Sequence, residues 1–148
     1  MRLSVVAHMR ARLRRMWPDE RGQSLVEMAL VLPLLLLLVV GIIDFGRAFN
    51  NYIIITNAAR EGARAASHFP DHPEYVETVV RQEAADSGLD ADAISITMTP
   101  SGGALAGDMI EVTAEYEFST ILGSFVGPAY STLTLRSSTR MVVFGQDT

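Results

Sequence analysis

The 148-residue sequence has no cysteine and no lysine, three histidines, a single tryptophan and only 20% charged residues. Without cysteine, a disulfide scaffold, a thiolate zinc site and a cysteine nucleophile are all excluded. His8, His68 and His72 leave little for general acid–base chemistry. No nucleophile–base set, phosphate-binding glycine loop or metal-ligand cluster is recognisable, so the expectation is a non-catalytic protein without metal or cofactor. The cations are all arginines, and they are unevenly placed. Arg2, Arg10, Arg12, Arg14, Arg15 and Arg21 face only Asp19 and Glu20 in residues 1–22, which gives +4. Residues 23–148 carry −9, and the whole chain −5. That acidic bulk argues against nucleic acid as a partner, because phosphate recognition needs a basic face.

What is present is a long apolar run. From Met28 to Ile43 the chain reads MALVLPLLLLLVVGII, sixteen residues without a charge. Extension back to Leu25 adds Glu27 as the only charge. A bilayer core of about 30 Å needs about 20 helical residues, so this run can span it. A helix apolar all round does not suit the core of so small a chain. A cleavable secretory signal is the rival, but the run ends in Asp44-Phe45-Gly46-Arg47, without a small-x-small site. Six arginines before the span place the N-terminus in the cytoplasm and residues beyond about 45 outside. Residues 3–17 read either as a basic amphipathic helix carrying Val6, Met9, Leu13 and Trp17 on one side, ended by Pro18, or as a positive head that only sets topology. Met9 and Met16 are alternative starts to Met1.

The span is preceded by Arg21-Gly22-Gln23-Ser24-Leu25-Val26-Glu27. An acid at the edge of a hydrocarbon segment is rare and usually functional. The plain reading is a capping box, Ser24-x-x-Glu27, at the start of the helix. The sharper reading is a resemblance. A basic leader ending in glycine, with glutamate five residues later at the start of an apolar helix, resembles the prepilin-peptidase site of type IV pilin-like proteins. The resemblance implies cleavage between Gly22 and Gln23, leaving 126 residues with Glu27 as the fifth. The new ammonium on Gln23 would stand one helical turn from the Glu27 carboxylate, near the positive end of the helix dipole. An acid and an amine in low dielectric are each costly alone and tolerable together. In a filament, the resemblance implies, Glu27 of an incoming subunit pairs with a neighbour's free amine and sets register.

Residues 21–67, including Pro33 within the leucine run and the block Asn57-Ala58-Ala59-Arg60-Glu61-Gly62-Ala63-Arg64-Ala65-Ala66, resemble the TadE-like family. These are minor pilins or pseudopilins of the tight-adherence (Flp) pilus. Where many prepilins carry an aromatic after the glutamate, this sequence has Met28. The resemblance implies as partners the prepilin peptidase, the major Flp pilin and other minor pilins, and the inner-membrane assembly platform with its ATPase.

Beyond the span, Phe45, Phe49, Tyr52, Ile53, Thr56, Ala59, Ala63 and Ala66 recur at helical spacing. One helix from about Ser24 to Ser67 would be about 66 Å long, kinked at Pro33, with its outer half offering a packing stripe. Asp44 and Arg47 mark the outer interface as an i,i+3 pair of small energetic weight. Arg60, Glu61 and Arg64 read either as a solvated face with a Glu61–Arg64 pair or as subunit contacts in a pilus.

His68-Phe69-Pro70-Asp71-His72-Pro73 turns the chain. A metal reading of His68, Asp71, His72 and Glu74 fails on Pro70, which breaks the helix that His-x-x-x-His needs. Residues 74–86 predict a second helix, with Tyr75, Val76, Val79, Val80 and Ala84 on one side. Strands are expected at 94–99, at 110–118 with Glu111, Glu115 and Glu117 outward, and at about 132–144 with Leu133, Leu135, Met141 and Val143 inward. Residues 119–130 read as a loop with exposed apolar potential, either a subunit contact or core filling. The acidic strand face is a solubility device or the seat of a basic partner.

The expected fold is α+β and pilin-like: a transmembrane helix continuing outside, packed by a small domain of one helix and about three antiparallel strands. The organisation is a basic cytoplasmic leader at 1–22, a helix and stalk at 23–67, and an exported domain at 68–148. The expected location is the cytoplasmic (inner) membrane, single-pass, with the C-terminal domain extracytoplasmic. The rival from another class is an anchored envelope protein whose outer domain binds a ligand or another protein. An enzyme domain on a stalk ranks below both.

Overall fold

A computed structural model of the protein describes residues 20–144, so the leader's residues 1–19, with the expected helix at 3–17, lie outside the described residues. The fold is α+β. Helix α1 runs from Glu20 to His68, helix α2 from Pro73 to Asp86, and strands β1 (Ile94–Thr99), β2 (Met109–Ser119) and β3 (Thr132–Val142) follow. A single-turn helix α3, Gly123–Val126, lies between β2 and β3. The chain divides into two compact units between Val39 and Val40.

In the first unit, α1 presents its apolar side chains outward on every side, as a lipid-facing helix does. It is the one helix among the described residues that is long and apolar enough to cross a membrane. The helix is assigned unbroken through Pro33. It is already helical at Glu20, ahead of Ser24, so Ser24 sits inside the helix and the capping box does not form. An N-cap needs the hydroxyl at the first non-helical residue, and here helical residues precede it.

The second unit, from Val40 on, holds the core. The outer half of α1 contributes Ile55, Ala58, Ala59, Ala63 and Ala66, all fully buried. Val76, Val80 and Ala84 of α2 and Ile110, Val112 and Ala114 of β2 close over them. The α1 face is built of small residues, which lets a second helix and a sheet approach its backbone closely. The expected stripe is right from Ala59 onward and out of phase before it. Phe45, Phe49, Tyr52 and Ile53 are exposed, while Ile55 and Ala58, one position round the helix, are buried. Aromatic residues drew the stripe toward themselves, but the sheet covers the small face. On α2, Val76, Val80 and Ala84 face in, whereas Tyr75 stays outside and meets Phe69 edge-on at 5.3 Å.

The sheet is an antiparallel meander in the order β1-β2-β3. Ile94, Ile96 and Met98 stand opposite Tyr116, Ala114 and Val112. On β3 the inner face differs from expectation. Leu133 is exposed, and the buried Ser137 occupies the middle of the strand. Ser137 pairs with Ala114 at the centre of β2, so two small residues face each other there.

Candidate functional site

Gly22, Gln23 and Glu27 lie on the exposed surface of α1 near its N-terminal end. A Cβ built on Gly22 meets nothing within 4 Å, so the glycine is not demanded by packing. Glu27 is exposed and has no ion-pair or hydrogen-bond partner among the described residues. With the capping box gone, nothing within the described chain explains an acid at that place.

A second constellation sits where the apolar run ends, and its importance was missed in the sequence. Asp44 is 6% exposed. Its Oδ1 accepts from the backbone N–H of Ile121 at 3.0 Å, and its Oδ2 accepts from that of Leu122 at 2.7 Å. Arg47 donates to Oδ1 at 3.1 Å. The Arg47 guanidinium also lies 5.0 Å from the centroid of the Phe118 ring, which is almost wholly buried. The i,i+3 pair on its own would contribute little. Here the carboxylate satisfies two amides of the β2–β3 connection and so fastens that connection to the stalk. A carboxylate that accepts backbone N–H bonds makes them stronger than neutral ones.

The connection is closed on itself. Ser131 O accepts from Thr120 N at 2.9 Å, and the Thr120 hydroxyl donates to Tyr130 O and accepts from Gly123 N. A Cβ on Gly123 would lie 2.3 Å from Ser131 Cα, which explains a glycine there.

Glu61 accepts from Arg64 at 3.0 Å, with Arg64 exposed and Glu61 half-buried, in keeping with the solvated-face reading. Arg60 is exposed and makes no ion pair among the described residues. Glu61 and Arg64 line a shallow pocket of about 240 Å³ with Ala65, His68, Phe69, Tyr75 and Val79. Residues of the turn are engaged separately. Asp71 accepts from Gly103 N at 2.9 Å, His72 meets Glu74 at 3.3 Å, and His68 Nδ1 lies 2.9 Å from Arg64 O. The Glu74 carboxyl is held below its usual range, first by its own backbone N–H at the start of α2 and then by His72.

The outer face of the sheet is not an acidic patch. Register sets Glu111 opposite Arg140 and Glu115 opposite Arg136. The pairs close at 3.0 and 3.3 Å. The Ser138 hydroxyl, with Arg140 second, holds the Glu111 carboxyl below its usual range. Only Glu117 of the three faces water without an arginine. The four-residue spacing shared by Glu111/Glu115 and Arg136/Arg140 was the signal that the strands pair in this register.

Compared with known families, residues 22–64 match the model described as TadE-like protein. The matched segment contains Gly22, Glu27, Pro33, Asp44 and the Arg60–Arg64 block, and it ends where the core-forming α1 face meets α2. No curated protein and no solved structure matches the chain.

Proposed function

With the TadE-like match of residues 22–64 as premise, we propose that the chain is a minor pilin or pseudopilin of the tight-adherence pilus. In this reading it is a non-catalytic assembly protein, inserted as a prepilin and cut by the prepilin peptidase between Gly22 and Gln23. The match to the TadE-like family carries the association with that pilus. Glu27 supports the finer role. It is an acid with no partner among the described residues, at the head of an apolar helix and one turn from the amine that cleavage would create. Paired with the amine of a neighbouring subunit, it would lose its cost in low dielectric only when the register is correct. The major pilin, other minor pilins, the assembly platform and its ATPase are the partners this role requires. The leader would remain in the cytoplasm and the sheet domain would lie on the far side of the inner membrane.

The test is mass spectrometry of the protein from cells that contain the peptidase. We expect a mature N-terminus at Gln23, lost in Gly22→Ala. Gly22 has open space around it, so a failure to cleave that variant reports on the protease and not on the fold. Glu27→Ala should still be cleaved but should leave cells without pili. An intact leader on the natural chain would sink the pilin reading in favour of a plain anchored envelope protein. Normal piliation in Glu27→Ala would remove the pairing role.

A further inference from the structure

The connection at the tip of the β2–β3 hairpin carries no charge and is held by Asp44, next to the end of the apolar run. Strand β2 runs antiparallel to the outer half of α1. Val112 lies against Gly62, and Phe118 lies against Arg47. Six strand residues cover about 20 Å and fifteen helical residues about 22 Å, so the strand follows the helix axis back toward the apolar run. Residues past Ser119 therefore emerge at the end of the unit nearest Ile43. Asp44 fixes the level by accepting from Ile121 and Leu122, one residue beyond the last apolar residue of the run. At that level Phe125 is 69% exposed and Tyr130 62%, with Val126 and Ile121 exposed beside them. From Phe118 to Leu135 there is no charged residue, which is the longest uncharged stretch in the chain. Four large apolar side chains exposed within one short uncharged connection suit a contact site.

We propose that this tip seats in the bilayer interface, so that the second unit meets the membrane at the hairpin tip as well as at the end of the apolar run, Val40–Ile43. The proposal rests on residues 25–43 being the membrane span. A lipid interface takes Phe and Tyr side chains at headgroup depth and demands no shape match from its partner. Charges within the tip would oppose such seating, and there are none. Phe45, exposed on α1 one residue past Asp44, adds a further aromatic at the same depth. Asp44 has a definite task in this arrangement: it satisfies the two amides that the tip would otherwise bring, unpaired, toward hydrocarbon.

The chain has no cysteine, so single-cysteine spin labels give a clean test in the full-length protein reconstituted in phosphatidylcholine vesicles. Labels at Ser124→Cys and Ala129→Cys leave the aromatics in place. Leu35→Cys reports on the span, and Thr78→Cys reports on the exposed face of α2. We expect oxygen to relax the labels at 124 and 129 more than a water-soluble nickel chelate does, as at 35, with the reverse order at 78. Adding Phe125→Asp and Tyr130→Asp should turn position 124 over to the nickel chelate. If 124 and 129 behave like 78 while 35 remains in lipid, the seating is wrong and the span stands. If 35 is reached by nickel, the span fails and takes the seating with it. Labels at 124 and 129 that are shielded from both reagents, and broadened by each other across molecules, would mean that a second copy covers the tip and would overturn the proposal.

Discussion

Gly62 carries more of the packing than its size suggests. It lies on the buried face of α1 where both α2 and β2 press on the helix. A Cβ there would stand 2.3 Å from Val80 Cγ2 and 3.2 Å from Val112 Cγ1. Both neighbours are β-branched and stiff at χ1, so neither can swing away cheaply. Gly62→Ala would gain about 1 kcal/mol of helix propensity. Overpacking typically costs about 1–3 kcal/mol, and this contact belongs to the severe end of that range. We expect a net loss of about 1–2 kcal/mol, read as a lower denaturant midpoint in detergent micelles. Gly22→Ala, with nothing near its added methyl, is the matched control and should not lower it. A Gly62→Ala midpoint equal to that of the control would mean that α2 and the sheet yield freely. The glycine within the Arg60–Arg64 block is thus explained by the fold before any role in assembly is invoked.

Among the elements, those set by local pattern were readable in the chain and those set by distant pairing were not. The alternation of Ile110, Val112, Ala114 and Phe118 with polar residues announces β2, and all four are buried. The interruption at Pro70 and the spacing of Val76, Val80 and Ala84 announce α2, which runs from Pro73 to Asp86 against the expected 74–86. Asp44 could not be read this way, because its partners lie 77 and 78 residues away and offer only backbone amides. Nothing in the side chains of Ile121 or Leu122 advertises such a bond. The same holds for the 119–130 segment, which is closed by bonds from Thr120 to Tyr130 and Ser131 across its ends. The Asp44 contact predicts that Asp44→Ala will speed hydrogen exchange at 121–122 and across the 120–131 connection, while β1 and the middle of β2 keep their protection. Asp44→Asn retains one acceptor oxygen and should fall between. Unchanged exchange in Asp44→Ala would show that the connection's own bonds suffice.

At the level of the whole molecule, the helix that is long and apolar enough to cross a membrane also contributes to the core, and this decides where the chain can be divided. The sheet and α2 bury their apolar faces against Ile55, Ala58, Ala59, Ala63 and Ala66, none of which belongs to a domain begun at residue 68. A domain of that size buries too little apolar surface to stand without them. A fragment beginning at 68 should therefore lack cooperative unfolding and bind hydrophobic dyes. A fragment beginning at Val40 retains the whole second unit and should unfold in a single transition, given mild detergent to cover Phe45, Phe49 and the hairpin tip. Circular dichroism with denaturant separates the two. Cooperative unfolding of the 68–148 fragment would show that the sheet and α2 suffice alone, and the stalk would then be a tether. The expected result makes the outer half of α1 a structural member of the second unit: a pull on the sheet would be borne by the core itself and by the Asp44 contact.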